Sequence, residues 1–206
     1  MMKPMPPTSL RPGRGPREDP GVLAQRITQC ARESFATSGW GGTTIRGIAR
    51  AADVDPALVH YYFPSKEALL DAAMVPPASW LGSVSEAITA PLDIRGEAIV
   101  RSMLRAWTDP EVAPVLRAII LTAAHVPAAR DRLRFIVTTA LVGATAEQLD
   151  GEARLVRAAL VASQVIGLAV MRHVWEVEPL RSMDEEQLVA LVAPTVQGYL
   201  AGPIRR

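Results

Sequence analysis

The chain has 206 residues, 49% of them hydrophobic and only 5% aromatic, with a net charge of +1. That charge is too small for nonspecific coating of nucleic acid, and the single cysteine, Cys30, cannot form an internal disulfide. Charge is unevenly spread: residues 1–66 hold nine Lys/Arg against five Asp/Glu, whereas the remainder is mildly acidic. A basic amino-terminal module on an acidic body fits a DNA reader with a separate regulatory part.

Residues 1–18 contain five prolines, two glycines and no periodicity, which predicts a disordered basic arm. Its Arg11, Arg14 and Arg17 could reach a phosphate backbone, although a solvated tail is the simpler reading. No charged, apolar and small-residue succession marks a signal peptide, and no run approaches the ~20 apolar residues of a membrane span. A soluble, cytoplasmic protein is expected.

Asp19-Pro20 starts a helix to about Ser38, with Val22, Ile27, Ala31 and Phe35 inward and Gly39 ending it. In the next helix Ile45, Ile48, Ala49 and Ala52 fall at i, i+3, i+4 and i+7, one apolar stripe. A turn over Asp53-Val54-Asp55 follows. Asp55 is a good N-cap, and Pro56 suits the first helical position, where a missing N–H costs nothing. Val59 and Phe63 point inward from the third helix, leaving Pro56, Ala57, His60 and Tyr61 on its other face. Two short helices joined by a tight turn make a helix-turn-helix, whose second helix offers its N-terminal face to the major groove. Phe35, Ile48, Val59 and Phe63 should form the core of this three-helix domain, residues 19–66.

Pro64-Ser65 caps a fourth helix to about Met74, broken by Pro76-Pro77. Residues 67–206 then read as a helical regulatory and dimerisation domain, with helices at about 79–89, 93–107, 110–124, 127–148, 152–175 and 184–201. No strand-period alternation and no internal repeat appears. The fold class is therefore all-α, with nine to ten helices. Leu155, Ala158, Ala159, Ala162, Ile166 and Ala169 form a stripe of mainly small residues, and the last helix offers Leu188, Leu191, Val192, Thr195 and Tyr199. Two such helices should pair with a second copy of the chain.

The segment TTIRGIARAADVDPALVHYYFPSKE resembles the TetR (tetracycline repressor) family of bacterial transcriptional regulators. Thr44, Ile45, Arg46, Ile48, Ala49, Ala52, Val54, Val59, Tyr62, Phe63, Ser65, Lys66, Glu67 and Leu69 stand where that family's pattern has the same or similar residues. The chain departs at Asp53 and Ala57, usually Gly, at Asp55, usually Ser, and at His60, usually Tyr. Those departures bear on the operator sequence and leave the fold untouched. The specific match covers roughly residues 22–70. The resemblance implies an aromatic, here Trp40, packed on the head, dimerisation through the last two helices, and an effector pocket among the middle helices of the body.

The titratable residues give catalysis no support. His60, His125 and His173 are far apart and lack metal-ligand spacing; Gly39-Trp40-Gly41-Gly42 lacks the Lys-Ser/Thr ending of a phosphate loop; no cofactor is implied. For DNA, Thr44, Arg46 and Lys66 are placed to meet phosphates and to position the head. Pro56, Ala57, His60 and Tyr61 face the groove, and Tyr62 can offer its hydroxyl to a phosphate. Trp80, Met103, Trp107, His125, Phe135, Gln164, Arg172 and Trp175 are the candidates for an apolar effector pocket, expected to reach ~300 Å³ or more. The function expected is a ligand-responsive repressor, a homodimer on near-palindromic operator DNA released by a small apolar molecule. The alternative is an architectural or partner-recruiting DNA-binding protein without a ligand, whose body would be filled by side chains.

Overall fold

The computed structural model describes residues 19–203, so the amino-terminal arm expected over residues 1–18 lies outside the described residues. The described residues are helical throughout, with no strand among them: α1 (Pro20–Gly42), α2 (Ile45–Ala51), α3 (Pro56–Tyr62), α4 (Lys66–Ala73), α5 (Ala78–Thr89), α6 (Arg95–Thr108), α7 (Ala113–Ala123), α8 (Pro127–Phe135), α9 (Ala144–Glu147), α10 (Arg154–Ala169) and α11 (Glu185–Ala201). Two stretches are wound as π-helix, Ile136–Gly143 between α8 and α9, and Val170–Val174 after α10.

The head helices start on local chemistry. Asp19, Thr44, Asp55 and Ser65 each accept a hydrogen bond from a backbone N–H of the first turn of α1, α2, α3 and α4. Gly39 takes φ 61°, ψ −168° and breaks the helical run of α1, as its position after the periodic residues predicted. Val22, expected inward, is instead 51% exposed, because it lies in the first turn of α1, before that helix reaches its neighbours.

Burial falls into two clusters that do not coincide with head and body. The first joins Ile27, Phe35, Ile48 and Val59 of the head to Leu70 and Met74 of α4, then to Trp80, Val115, Ile119 and Ile136. Contacts of α1 with α7 carry this core out of the head. The second consists of Ile88, Ile99, Val100 and Leu104 with Val161, Val165, Leu168, Leu188, Val196 and Leu200, that is α5, α6, α10 and α11. Close approach fixes α6 on α11: a Cβ at Gly96 would lie 2.8 Å from the Gln197 backbone nitrogen. The Gly96 N–H donates to Gln197 Oε1 at 2.8 Å. Arg101 on α6 adds a two-pronged ion pair with Glu186 on α11, at 2.6 and 2.7 Å.

The small-residue stripe expected to face a partner is divided. Ala158, Ala162 and Ala169 are buried within the chain, while Leu155 stays 58% exposed beside the exposed Val156 and Ala159. On α11, Leu188 is buried and Leu191 is 63% exposed. Arg154–Val174, with mean hydropathy 1.6, is long and apolar enough to cross a membrane by length and composition. Ser163, Gln164 and Gly167 interrupt its apolar run. Its buried Val161, Val165 and Leu168 belong to the second core.

Candidate DNA-binding head and effector cavity

The turn between α2 and α3 ends α2 in a Schellman arrangement. Asp53 N–H donates to Arg50 O at 3.3 Å and Val54 N–H to Ala49 O at 2.9 Å, with Asp53 in the left-handed region at φ 52°. Asp is one of the few residues that enter this region at modest cost, which is how the chain departs from glycine here and keeps the turn. Asp55 then caps α3 through a 2.7 Å bond from the Ala57 N–H. Val59 points into the core and is fully buried, so its helix holds one orientation.

That orientation leaves Pro56, Ala57, His60 and Tyr61 on one exposed face, with Tyr61 at 80% exposure. Tyr61 thus presents both its ring and its hydroxyl at the surface. Tyr62 is half-buried, edge-on to Tyr61 at 5.2 Å between ring centroids. Thr44 and Arg46 are exposed at the start of α2, where Thr44 Oγ1 accepts from Gly47 N–H at 3.0 Å and keeps its own hydrogen to donate. Lys66 differs from expectation. Its ammonium donates to Trp40 O at 2.5 Å and lies 4.1 Å from the Trp40 ring centroid, and desolvation pushes its pKa down. Trp40 stacks in turn on Phe35, 5.9 Å apart and 7° from parallel. Lys66 thus holds the Trp40 loop against the head, with only its remaining N–H bonds left for a phosphate.

In the body, a cavity of about 110 Å³ lies between the two cores. Trp80, Ile119 and Ile136 border it from the first core and Ile88, Ile99 and Val165 from the second. Of the expected pocket residues, Trp80, Met103 and Trp107 line it. The other five do not. His125 is exposed, as are Phe135 (58%) and Trp175 (67%). Gln164 is half-buried and is not among the lining residues. Arg172 donates to the Leu180 carbonyl and secures the loop after α10. The lining residues that sequence reasoning missed are chiefly aliphatic: Val84, Ile88, Ile119, Leu141, Val161 and Val165. Their helical spacing marks them as inward-facing, and spacing alone does not separate a cavity wall from solid core.

The cavity is smaller than the ~300 Å³ of an ordinary ligand pocket. Trp80, Trp107 and Met103 supply the bulk that narrows it. Both π-helical stretches adjoin it: Ile136, Val137 and Leu141 are in the lining, and Val170–Val174 follows the lining residue Ala169. Such stretches often occur at functional sites. His173, on the second of them, stacks on Trp107 at 5.3 Å and 11°. Burial first, then Arg172 and Arg117, pulls its pKa down to about 4, and its Nε2 is buried without a hydrogen-bond partner among the described residues.

No group of three His, Cys, Asp or Glu side chains among the described residues could hold a metal ion. Burial, with Glu33 adding to it, pushes the Cys30 thiol up, the opposite of what a nucleophile needs.

Comparison with known proteins bears on both sites. Residues 27–73 match the profile described as bacterial regulatory proteins, tetR family, and residues 93–200 match the tetracyclin repressor-like C-terminal domain. Among solved structures, a TetR-family regulator from Streptomyces coelicolor A3 is 30% identical, with 90% of this chain and 99% of that one covered and a TM-score of 0.63. NalD, the secondary repressor of the MexAB-OprM multidrug efflux pump in Pseudomonas aeruginosa, shares the fold at 18% identity, with coverages of 91% and 99% and a TM-score of 0.66. SmeT, solved with triclosan, does so at 16% identity, with coverages of 86% and 90% and a TM-score of 0.66. None of the curated proteins matches this chain.

Proposed function

The chain belongs to the TetR family of bacterial transcriptional regulators, and from that premise we propose that it is a ligand-responsive repressor acting as a homodimer on near-palindromic operator DNA. Pro56, Ala57, His60 and Tyr61 read base edges, His60 by hydrogen bonding and Ala57 by contact with a thymine methyl. Thr44, Arg46 and Tyr62 meet phosphates, and Lys66 contributes mainly by holding the Trp40 loop. The exposed Leu155 and Val156 of α10 and Leu191 of α11 form the face that a second copy covers. Two heads then reach successive major grooves roughly 34–36 Å apart. Binding to the chromosome places the protein in the cytoplasm.

The observation that carries the regulatory part is the position of the cavity. It lies between the core that includes the head and the core that includes α10 and α11. A small apolar molecule wedged there changes how one core sits on the other, and hence the spacing of two heads in a dimer. That mechanism requires the molecule to bind one spacing more tightly than the other. NalD represses an efflux pump and SmeT is solved with triclosan, which makes a small-molecule effector the natural reading for this chain too. The ligand-free architectural alternative expects a solid body, and a cavity of about 110 Å³, below the ~300 Å³ expected, counts towards it.

Selection of bound duplexes from a random pool, followed by titration of the selected DNA at several salt concentrations, tests the reading. A near-palindromic site bound by a dimer or a pair of dimers, with affinity falling steeply with salt, is expected. Apolar compounds that bind the body should weaken that affinity by a coupling of roughly 1–3 kcal/mol. Selection that never rises above nonspecific background would refute the DNA assignment. Compounds that bind the body and leave operator affinity unchanged would refute the regulatory one.

A further inference from the structure

Two hydroxyls stand in the wall of the cavity, Thr145 on α9 and Ser102 on α6. Ser83 on α5 and Ser102 on α6 face each other, Oγ to Oγ at 3.0 Å, and the Ser102 hydroxyl also lies 3.3 Å from the Ser83 carbonyl. On the outer side of this pair runs a groove of about 390 Å³ between the same two helices, bordered by Glu86, Glu97, Arg101 and Arg105. Ser102 and Ala87 border both spaces, so the cavity and the groove adjoin there.

We propose that cavity and groove are two halves of one binding site, joined by opening the Ser83–Ser102 seam, and that its ligand has a single-ring apolar body and an uncharged hydrogen-bonding head. This rests on the effector reading above and gives the chemistry of the effector. Three observations converge on it. A cavity of about 110 Å³ is somewhat smaller than an engineered cavity of ~150 Å³ that takes benzene, so anything longer than one ring has to leave it, and the groove adjoins it at Ser102 and Ala87. Closed, the two hydroxyls satisfy each other; open, each can bond to a ligand head instead, so the seam parts at little net cost. The two sides of the seam also differ in firmness. α6 is pinned to α11 through Gly96 and Arg101, whereas α5 follows Pro77 and carries Gly82 beside Ser83. α5 is the side that moves.

The charges around the groove select the head. Arg101 is taken up by Glu97 at 2.8 Å and by Glu186 at 2.6 Å. That leaves Glu86 and Arg105, opposite in sign, to offset each other. Three carboxylates against two guanidiniums leave the groove slightly negative, which disfavours an anionic head, and the hydroxyl pair at the seam offers a neutral head a donor and an acceptor.

The probes are benzene, 4-phenyl-1-butanol and 4-phenylbutyrate, titrated into the full-length protein with tryptophan fluorescence as readout, because Trp80 and Trp107 line the cavity. In the wild type the alcohol should bind at least ten-fold more tightly than benzene and several-fold more tightly than the carboxylate. The double variant S83C/S102C, once oxidised, should lose that ten-fold advantage and regain it on reduction, with oxidised wild type as control for Cys30. The single variant Ser102→Val should also bring the alcohol close to benzene and leave benzene within about three-fold of wild type. It keeps the test informative should the cysteine pair misfold. An alcohol advantage that survives Ser102→Val, or one equal in the oxidised and reduced double variant, overturns the proposal alone. Absence of all three probes from the wild-type cavity overturns the proposal together with the effector reading.

Discussion

Head and body are built from the same element and stabilised differently. Each of the four helices from α1 to α4 begins on a side chain that accepts from its own first turn, whereas none of α5 to α10 does so at its own N-cap residue, Asp109 capping only the turn that leads into α7. Local structure returns only at α11, where Asp184 and Gln187 form a capping box. The body also contains the cavity and both π-helical stretches. A head specified residue by residue holds one shape, as reading a groove requires. A body held by distributed apolar contact can shift between two packings, as a response to a small molecule requires.

Core substitutions should separate the two regions most strongly. Phe35→Ala removes a fully buried ring from the head and unstacks Trp40, and should cost about 3–5 kcal/mol in urea denaturation. A smaller loss would mean that the head relaxes as readily as the body. Enlarging an alanine sharpens the contrast. Ala49→Leu, in the packed head, should cost about 1–3 kcal/mol. Ala162→Leu, at the cavity wall, should change stability little and abolish binding of apolar compounds. Equal losses at the two sites would place the free volume elsewhere.

Removing the cap from the recognition helix, Asp55→Ala, should cost about 1 kcal/mol and weaken binding to the selected operator at unchanged salt dependence. The smallest effect concerns pH. His173 is held neutral by burial, with a pKa of about 4 against 6.5 in the unfolded chain. As pH falls from 6.5 towards 4, the unfolded chain takes up a proton that the fold refuses, so stability present above 6.5 is lost across that window. Discounted for solvent screening of a half-buried ring, the loss is about 1 kcal/mol. His173→Phe should flatten that part of a melting-temperature profile. An unchanged slope would remove His173 as its source.

The head was legible in the sequence because its determinants are short-range. Asp55-Pro56, the Ile45/Ile48/Ala49/Ala52 stripe and Gly39 each declare a boundary or a face within one or two turns, and even Asp53 kept the left-handed turn that glycine usually provides. Helix spans in the body were also readable from prolines and periodicity. Its pocket was not. His125, Phe135 and Trp175 looked like pocket residues because they are large or polar in apolar surroundings, yet the angle at which each helix docks turns them outward. The second role of Lys66, on the Trp40 carbonyl, was hidden by the 26 residues between them. Docking angles and long-range partners depend on every contact of the packed body, and no short pattern encodes them.

The first core does not stop where the head ends. Ile27 and Phe35 belong to the same buried cluster as Val115 and Ile119 of α7, and Arg32 reaches from α1 to the Ala73 carbonyl at 3.0 Å. In calorimetry, head and α7 should therefore melt in a single transition. A fragment cut after Met74 would expose the face of α1 that α7 covers and should not be stable alone. Swapping such heads between relatives would work only if the junction were moved into the body, so that α7 travels with the head whose helix it covers.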